Sequence, residues 1–168
     1  MTVDYHAHPV TEEFCIGLKE LGIDPVEYDG FALPKWSVEE HLNFMKEANI
    51  DLTILSAPAP HIYNGDNKKS CEVARKINQS IAKICENYPD KFKFVACVPL
   101  PFVEGAIEEV KFAMEKLGAI GVKLATNNYG IYLGDKSFEP FMKELDKMKA
   151  LAIIHVAQPI CTQLNHQV

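Results

Sequence analysis

The chain has 168 residues, 48% hydrophobic and 24% charged, an ordinary globular composition long enough for one compact domain with its own core. Its 17 basic and 23 acidic side chains leave a formal net charge of −6, which argues against nucleic acid or an anionic membrane surface as partner. No basic-plus-apolar signal precedes the first motif and no apolar run is long enough to span a bilayer, so a cytoplasmic, non-membrane protein is expected.

In chain order, the first apolar run is Met1 to His8, closed by Pro9. Strand alternation places His6 and His8 on one face, and Asp4 with them. Asp24 to Pro34 reads as a long loop. Ser37 with Glu40 three residues on is a capping-box pattern, predicting a helix through Ala48. A second strand run, Leu52 to Ala57, stops before Pro58 and Pro60. Cys71 to Tyr88 repeats apolar residues at Val73, Ala74, Ile77, Ile81, Ile84 and Cys85, the rhythm of a half-buried helix, and Pro89 ends it.

The same alternation continues. Phe92 to Val98 is a strand run before Pro99, and Val103 to Leu117 is a helix stopped by Gly118. Ile120 to Ala125 is a strand run entering Asn127-Asn128. Phe138 to Lys149 is a helix, and Leu151 to Ala157 is a fifth strand run ending at Pro159. Strands alternating with helices and no hairpin signal imply βαβ units and a parallel sheet in a single domain over residues 1–168. The first strand ends in His6-Ala7-His8-Pro9, not in the glycine-rich turn that a dinucleotide-binding open sheet needs. The five cysteines, Cys15, Cys71, Cys85, Cys97 and Cys161, are odd in number with no C-x-x-C pair, and read as reduced thiols.

The chemistry-bearing pattern is histidine. His6 and His8 share a strand face, and His155 sits at the end of the fifth run. Parallel strands bring their C-terminal ends to one rim, so three imidazoles can meet one divalent cation there.

These residues resemble a family. Val3-Asp4-Tyr5-His6-Ala7-His8-Pro9 and Ile154-His155 are similar to the amidohydrolase superfamily. Asn127-Asn128-Tyr129-Gly130, Tyr132-Leu133-Gly134-Asp135 and Phe138-Glu139-Pro140-Phe141 resemble one branch, that of aminocarboxymuconate-semialdehyde, methylsalicylate and resorcylate decarboxylases. The resemblance implies an α/β fold, the TIM (β/α)8 barrel, with this chain covering about the first five βα units. It implies zinc, or another divalent metal such as manganese, at His6, His8 and His155. It also implies a decarboxylase of a small hydroxylated aromatic or dienoic carboxylic acid, with hydrolysis of a C–N or ester bond as the alternative. The branch's acid–base histidine and late metal-binding aspartate have no counterpart here, so no catalytic residue is assigned.

Around that centre, His61, Asn127 and Tyr129 lie just past strand ends and are candidate substrate contacts. Trp36, Tyr63 and Tyr129 are candidates for an aromatic pocket. Lys123 occupies a strand run where two-metal members of the superfamily carry a carboxylated lysine; the single-ion branch favours a structural or substrate-orienting role. Asp4 is a candidate support for the histidine pair, with a cap or surface salt bridge as the plain alternative. His41 and His166 carry no pattern. A phosphoesterase that opens Asp-x-His-x-His is the rival enzyme, but it needs further histidines and acids, and between Pro9 and Val95 there are only His41 and His61. A non-catalytic partial barrel is the other rival; five units leave open sheet edges, for which homo-oligomerisation is expected.

Overall fold

The computed structural model describes residues 1–30 and 32–157; the expected features at Pro159, Cys161 and His166 lie outside them. Strands β1 (Val3–Ala7), β2 (Leu52–Leu55) and β3 (Phe92–Phe94) pair in parallel in that order. Beyond β3, Ala96 bridges to Val122 of β4 (Gly121–Ala125): its N–H donates to the Gly121 carbonyl and its own carbonyl accepts from Lys123 N–H, both at 2.9 Å. A last parallel strand, β7 (Leu151–His155), pairs with β4 from Gly121↔Leu151 to Ala125↔His155. Two short strands, β5 (Asn127–Asn128) and β6 (Ile131–Tyr132), lie between them in the chain. The parallel strands thus run in chain order, β1-β2-β3-β4-β7, as in one side of a (β/α)8 barrel.

Helices cover one face only. They are α1 (Glu12–Leu21), α2 (Pro25–Asp29), α3 (Val38–Glu47), α4 (Asn67–Asn87), α5 (Val103–Lys116) and α6 (Glu139–Met148). Ala7, Leu55, Phe92 and Phe94 point into this layer and pack with Phe14 and Leu18 of α1 and Val73 and Ile77 of α4. Val122 and Leu124 pack with Val110 of α5 and Phe138 and Phe141 at α6. Alternate residues of the same strands therefore face the other way, into the barrel interior. Between α4 and α5, buried Asn78 accepts from Cys97 N–H and donates to the Cys97 carbonyl and to Glu109, all at 2.8–2.9 Å. Arg75 pairs with Glu109 at 2.8 Å and lies over the Phe112 ring.

The periodic segments appear where expected, and Ser37 caps α3 as the sequence pattern predicts, accepting from Glu40 N–H and donating to the Glu40 carboxylate. Three elements differ. Helix α1 was not anticipated; Thr11 caps it, and Phe14, Leu18 and Leu21 form its buried stripe. The Asp24–Pro34 loop contains α2, with Asp24 as N-cap, Pro25 opening it and Gly30 closing it at φ 81°. A hairpin is also present: β5 and β6 pair antiparallel through Tyr129 and Gly130, both at positive φ. Tyr-Gly replaces the Asn-Gly or Asp-Gly that marks such a turn in sequence, which hides it.

Among the described residues β1 and β7 are the edge strands. Tyr5 (57% exposed), Ile154 (54%) and Val156 (80%) stand open to solvent there. No helix of these residues is long and apolar enough to cross a membrane.

The β4–β7 contact depends on one missing side chain. A Cβ at Gly121 would lie 1.9 Å from the Leu151 carbonyl oxygen, so no other residue lets β7 begin its pairing here. Gly121→Ala is expected to lower stability by about 3 kcal/mol or more and to undock β7. Urea unfolding and amide exchange over 151–155 test this; unchanged protection in β7 would show that the strand tolerates the methyl group.

Candidate metal centre

The alternation of β1 is interrupted once. Asp4 pairs with Thr53 and Ala7 with Leu55, so Tyr5 and His6 on β1 together oppose the single residue Ile54 on β2. This bulge puts Asp4 and Ala7 on the same, helix-facing side. The sequence expectation that Asp4 shares the face of His6 and His8 is thereby corrected. Its carboxylate instead accepts from the His6 backbone N–H at 3.0 Å and lies near His41 of α3, whose imidazole contacts Thr53. His6 and His8 are left facing the interior.

There they meet His155. The ring centroids lie 4.7 Å (His6–His8), 5.1 Å (His6–His155) and 5.3 Å (His8–His155) apart, and one nitrogen from each falls within 4.8 Å of the others. His8 Nδ1 donates to the Ser56 carbonyl at 3.0 Å, with Ser56 Oγ at 3.2 Å. That bond assigns the neutral tautomer whose Nε2 carries the lone pair, and turns it toward His6 Nε2, 2.9 Å away. His155 Nδ1 donates to the Val156 carbonyl at 2.8 Å. Two nitrogens 2.9 Å apart can sit on adjacent corners of one ion at about 2.0–2.1 Å each, so the donor set fits a zinc-type cation.

Electrostatics favour the ligand-competent form. Burial holds His8 down at about 4; its bond to Ser56 opposes this, while Lys123, His6 and His155 add to the fall. His61 is pushed further, to about 3, again mainly by burial and then by Lys123 and His155. Both imidazoles are neutral at pH 7.

A cavity of about 590 Å³ is lined by His61, which interacts with His155, and by Asn127 and Tyr129, the three residues that the sequence reading names as candidate substrate contacts. Tyr129, 67% exposed at a positive φ of 52°, packs edge-to-face on Tyr63, another cavity residue. Asn127 also serves the hairpin, its side-chain oxygen accepting from Gly130 N–H at 2.8 Å. Trp36 is not in this cavity: its indole N–H donates to His41 Nδ1, away from the trio. The residues that sequence reasoning missed are Ser56, which orients His8, and Asp24 and Glu27, which reach the cavity through the unforeseen α2.

With this geometry in place, comparison with known proteins is decisive. The amidohydrolase family pattern matches residues 3–167. The chain belongs to the amidohydrolase family. A 6-methylsalicylic acid decarboxylase from Aspergillus aculeatus is 34% identical over 169 residues, covering 98% of this chain and 50% of that protein. The crystal structure of an amidohydrolase II superposes with a TM-score of 0.86 at 30% identity, over 95% of this chain and 51% of its own. A dihydroxybenzoic acid decarboxylase from Polaromonas sp. JS666, solved with bound manganese and 2-nitroresorcinol, shares the fold: TM-score 0.79, 21% identity, 98% of this chain and 52% of its own. This amidohydrolase chain spans about half the length of the curated relatives it matches.

Two outcomes follow. Metal content after zinc loading is expected to fall well below one ion per chain in a His6→Ala, His8→Ala double variant, measured by elemental analysis; equal content in both proteins would remove the trio as the site. For His61, the folded value near 3 lies below the ordinary 6.5, so between these the unfolded chain binds a proton that the folded chain refuses. Its stabilising contribution is complete above about pH 6.5 and drains away as pH falls toward 3. The melting temperature should drop across that interval, and His61→Asn should flatten the drop. A slope indifferent to the substitution would assign the acid sensitivity elsewhere.

Proposed function

We propose that these residues form the metal- and substrate-holding half of a decarboxylase acting on small hydroxylated aromatic or dienoic carboxylic acids, with zinc held by His6, His8 and His155. The observation that carries this reading is the convergence of the His6, His8 and His155 imidazoles, with His61, which interacts with His155, also lining a cavity together with Asn127 and Tyr129. The 34% identical relative, a 6-methylsalicylic acid decarboxylase, supports the substrate class. The cavity suits it: about 590 Å³ accommodates a single substituted ring, and Tyr63 and Tyr129 offer aromatic faces for it.

A divalent ion held by His6, His8 and His155 would supply Lewis-acid stabilisation of negative charge on the bound acid. The chain's own residues do the rest of the binding. Ser56 fixes the His8 ring so that its lone pair faces the ion, and His61, neutral at working pH, offers hydrogen bonding without adding charge. Loss of carbon dioxide breaks the bond between the carboxylate and the ring or diene carbon. Its electron pair stays on that carbon, which must take up a proton. The proton donor and the fourth metal ligand belong to later strands in the resembled branch, so the 168 residues alone are expected to bind without turning over.

The four described cysteines are unbridged, in keeping with a reducing, cytoplasmic setting. Among the described residues, the exposed apolar side chains of Tyr5 on β1 and of Ile154 and Val156 at β7 support self-association of this chain. A coupled carbon dioxide assay on the zinc-loaded chain, with its solution mass measured alongside, tests the reading. Salicylate-type acids should bind, and turnover should fall far below the roughly 1–10³ s⁻¹ of ordinary enzymes. A monodisperse monomer that decarboxylates at ordinary rates would refute the half-site assignment, and turnover of amides, lactones or phosphate esters would refute the substrate class.

A further inference from the structure

Lys123 is the residue of the interior that the metal centre leaves unexplained. It is only 6% exposed and sits in the middle of β4, where every residue is buried. The register resolves its direction: Val122 and Leu124 belong to the helix-side core, so Lys123 faces the interior. It pairs with Ile153, and Ala125 with His155, so its backbone lies two residues deeper than the rim histidine, about 6.6 Å at about 3.3 Å per residue. From there the side chain crosses the interior, and Nζ donates to the carbonyl of Ala57, just beyond β2. Ala57 follows Ser56, the residue that holds His8. The ammonium thus ends close to the histidine trio, near enough to depress the basicity of both His8 and His61.

The surroundings are those of a ligand site. A small inner pocket of about 20 Å³ is lined by Lys123, Ala57, Cys97 and Ala125 together with His61, Leu100 and Asn128. The last three also line the 590 Å³ cavity, so the two spaces share a wall and His61 stands between them. A lysine is among the residues least often buried, because its charge is costly to remove from water. Here the charge lies behind the wall that the small pocket shares with the larger cavity, whose own lining includes the carboxylates of Asp24 and Glu27. Such a gradient orients an elongated anion: negative end toward the shared wall, neutral ring away from it.

We propose that Lys123 is an anion-binding residue that draws the carboxylate of a hydroxylated aromatic acid to the His61 wall of the cavity. This assignment rests on the decarboxylase reading and adds to it the residue that orients the substrate's charged end. The interaction acts on the carboxylate, which is anionic in the bound acid and disappears as carbon dioxide leaves. Lys123 therefore contributes to affinity, and its effect must follow the charge of the ligand rather than the shape of its ring.

Salicylate and salicylamide separate these cases, since the amide keeps the ring and the neighbouring hydroxyl but replaces the carboxylate with a neutral group. Both are titrated by their own fluorescence into the zinc-loaded full chain, as wild type, Lys123→Met and Lys123→Gln. The glutamine variant can still donate to the Ala57 carbonyl, so it removes the charge while keeping the tether, and it decides the question if the methionine variant does not fold. Both variants are expected to weaken salicylate about tenfold or more while salicylamide changes by less than about threefold. Unchanged salicylate affinity in Lys123→Gln, or equal losses for the two ligands, would overturn the Lys123 assignment alone. A wild-type chain that binds neither compound would overturn the decarboxylase reading along with it.

Discussion

His155 can reach His6 and His8 only because β7 lies flush against β4, and that closeness requires the bare backbone of Gly121 opposite the Leu151 carbonyl. The five-pair parallel ladder that starts there carries the strand upward until Ala125 stands beside His155. On the other side of the site, β1 and β2 bring up the His pair and Ser56. The candidate metal centre therefore joins His6 and His8 to a residue 147 or more positions later through the backbone hydrogen bonds of the strands, with the helices packed behind them. No hydrogen bond between the helices and the three imidazoles is needed for this.

Dryness has a second effect at the rim. Removing an imidazole from water disfavours its charged form, so the burial that completes the core also keeps His8 and His61 deprotonated. A ligand nitrogen must have its lone pair available, and Lys123 reinforces that condition by placing a positive charge nearby. The same burial has the opposite effect on thiols: Cys85 and Cys97 are pushed up to about 12, which leaves them inert packing groups rather than competing ligands. One physical term thus sorts the two soft-ligand side chains of this chain into different roles.

Much of this was legible in the sequence because long-range architecture here is written in periodicity. The five apolar runs and four of the helices lie where spacing and proline stops predict them, and the histidine trio followed from strand ends sharing one rim. What escaped was local. Helix α1 is short, with its buried stripe confined to Phe14, Leu18 and Leu21, and α2 is a single turn and a half inside a proline-containing loop. The hairpin hides because Tyr129, a bulky residue, occupies a left-handed position that sequence rules reserve for glycine and asparagine. Trp36 was a fair candidate for an aromatic pocket by composition, yet a single indole N–H bond to His41 commits it elsewhere.

The bulge between Asp4 and Ala7 carries a lesson about how this rim is addressed. Side-chain direction in a strand has only two settings, and one surplus residue toggles between them. Upstream of the toggle, Asp4 belongs to the layer of His41 and Thr53; downstream, His6 and His8 belong to the interior. The donor motif is thus not sufficient as a string of letters: its chemistry is gated by a count of residues two positions before it. Straightening the strand at that point while keeping the surplus residue would leave every imidazole in the polypeptide and hand the pair to the greasy underside of the helices.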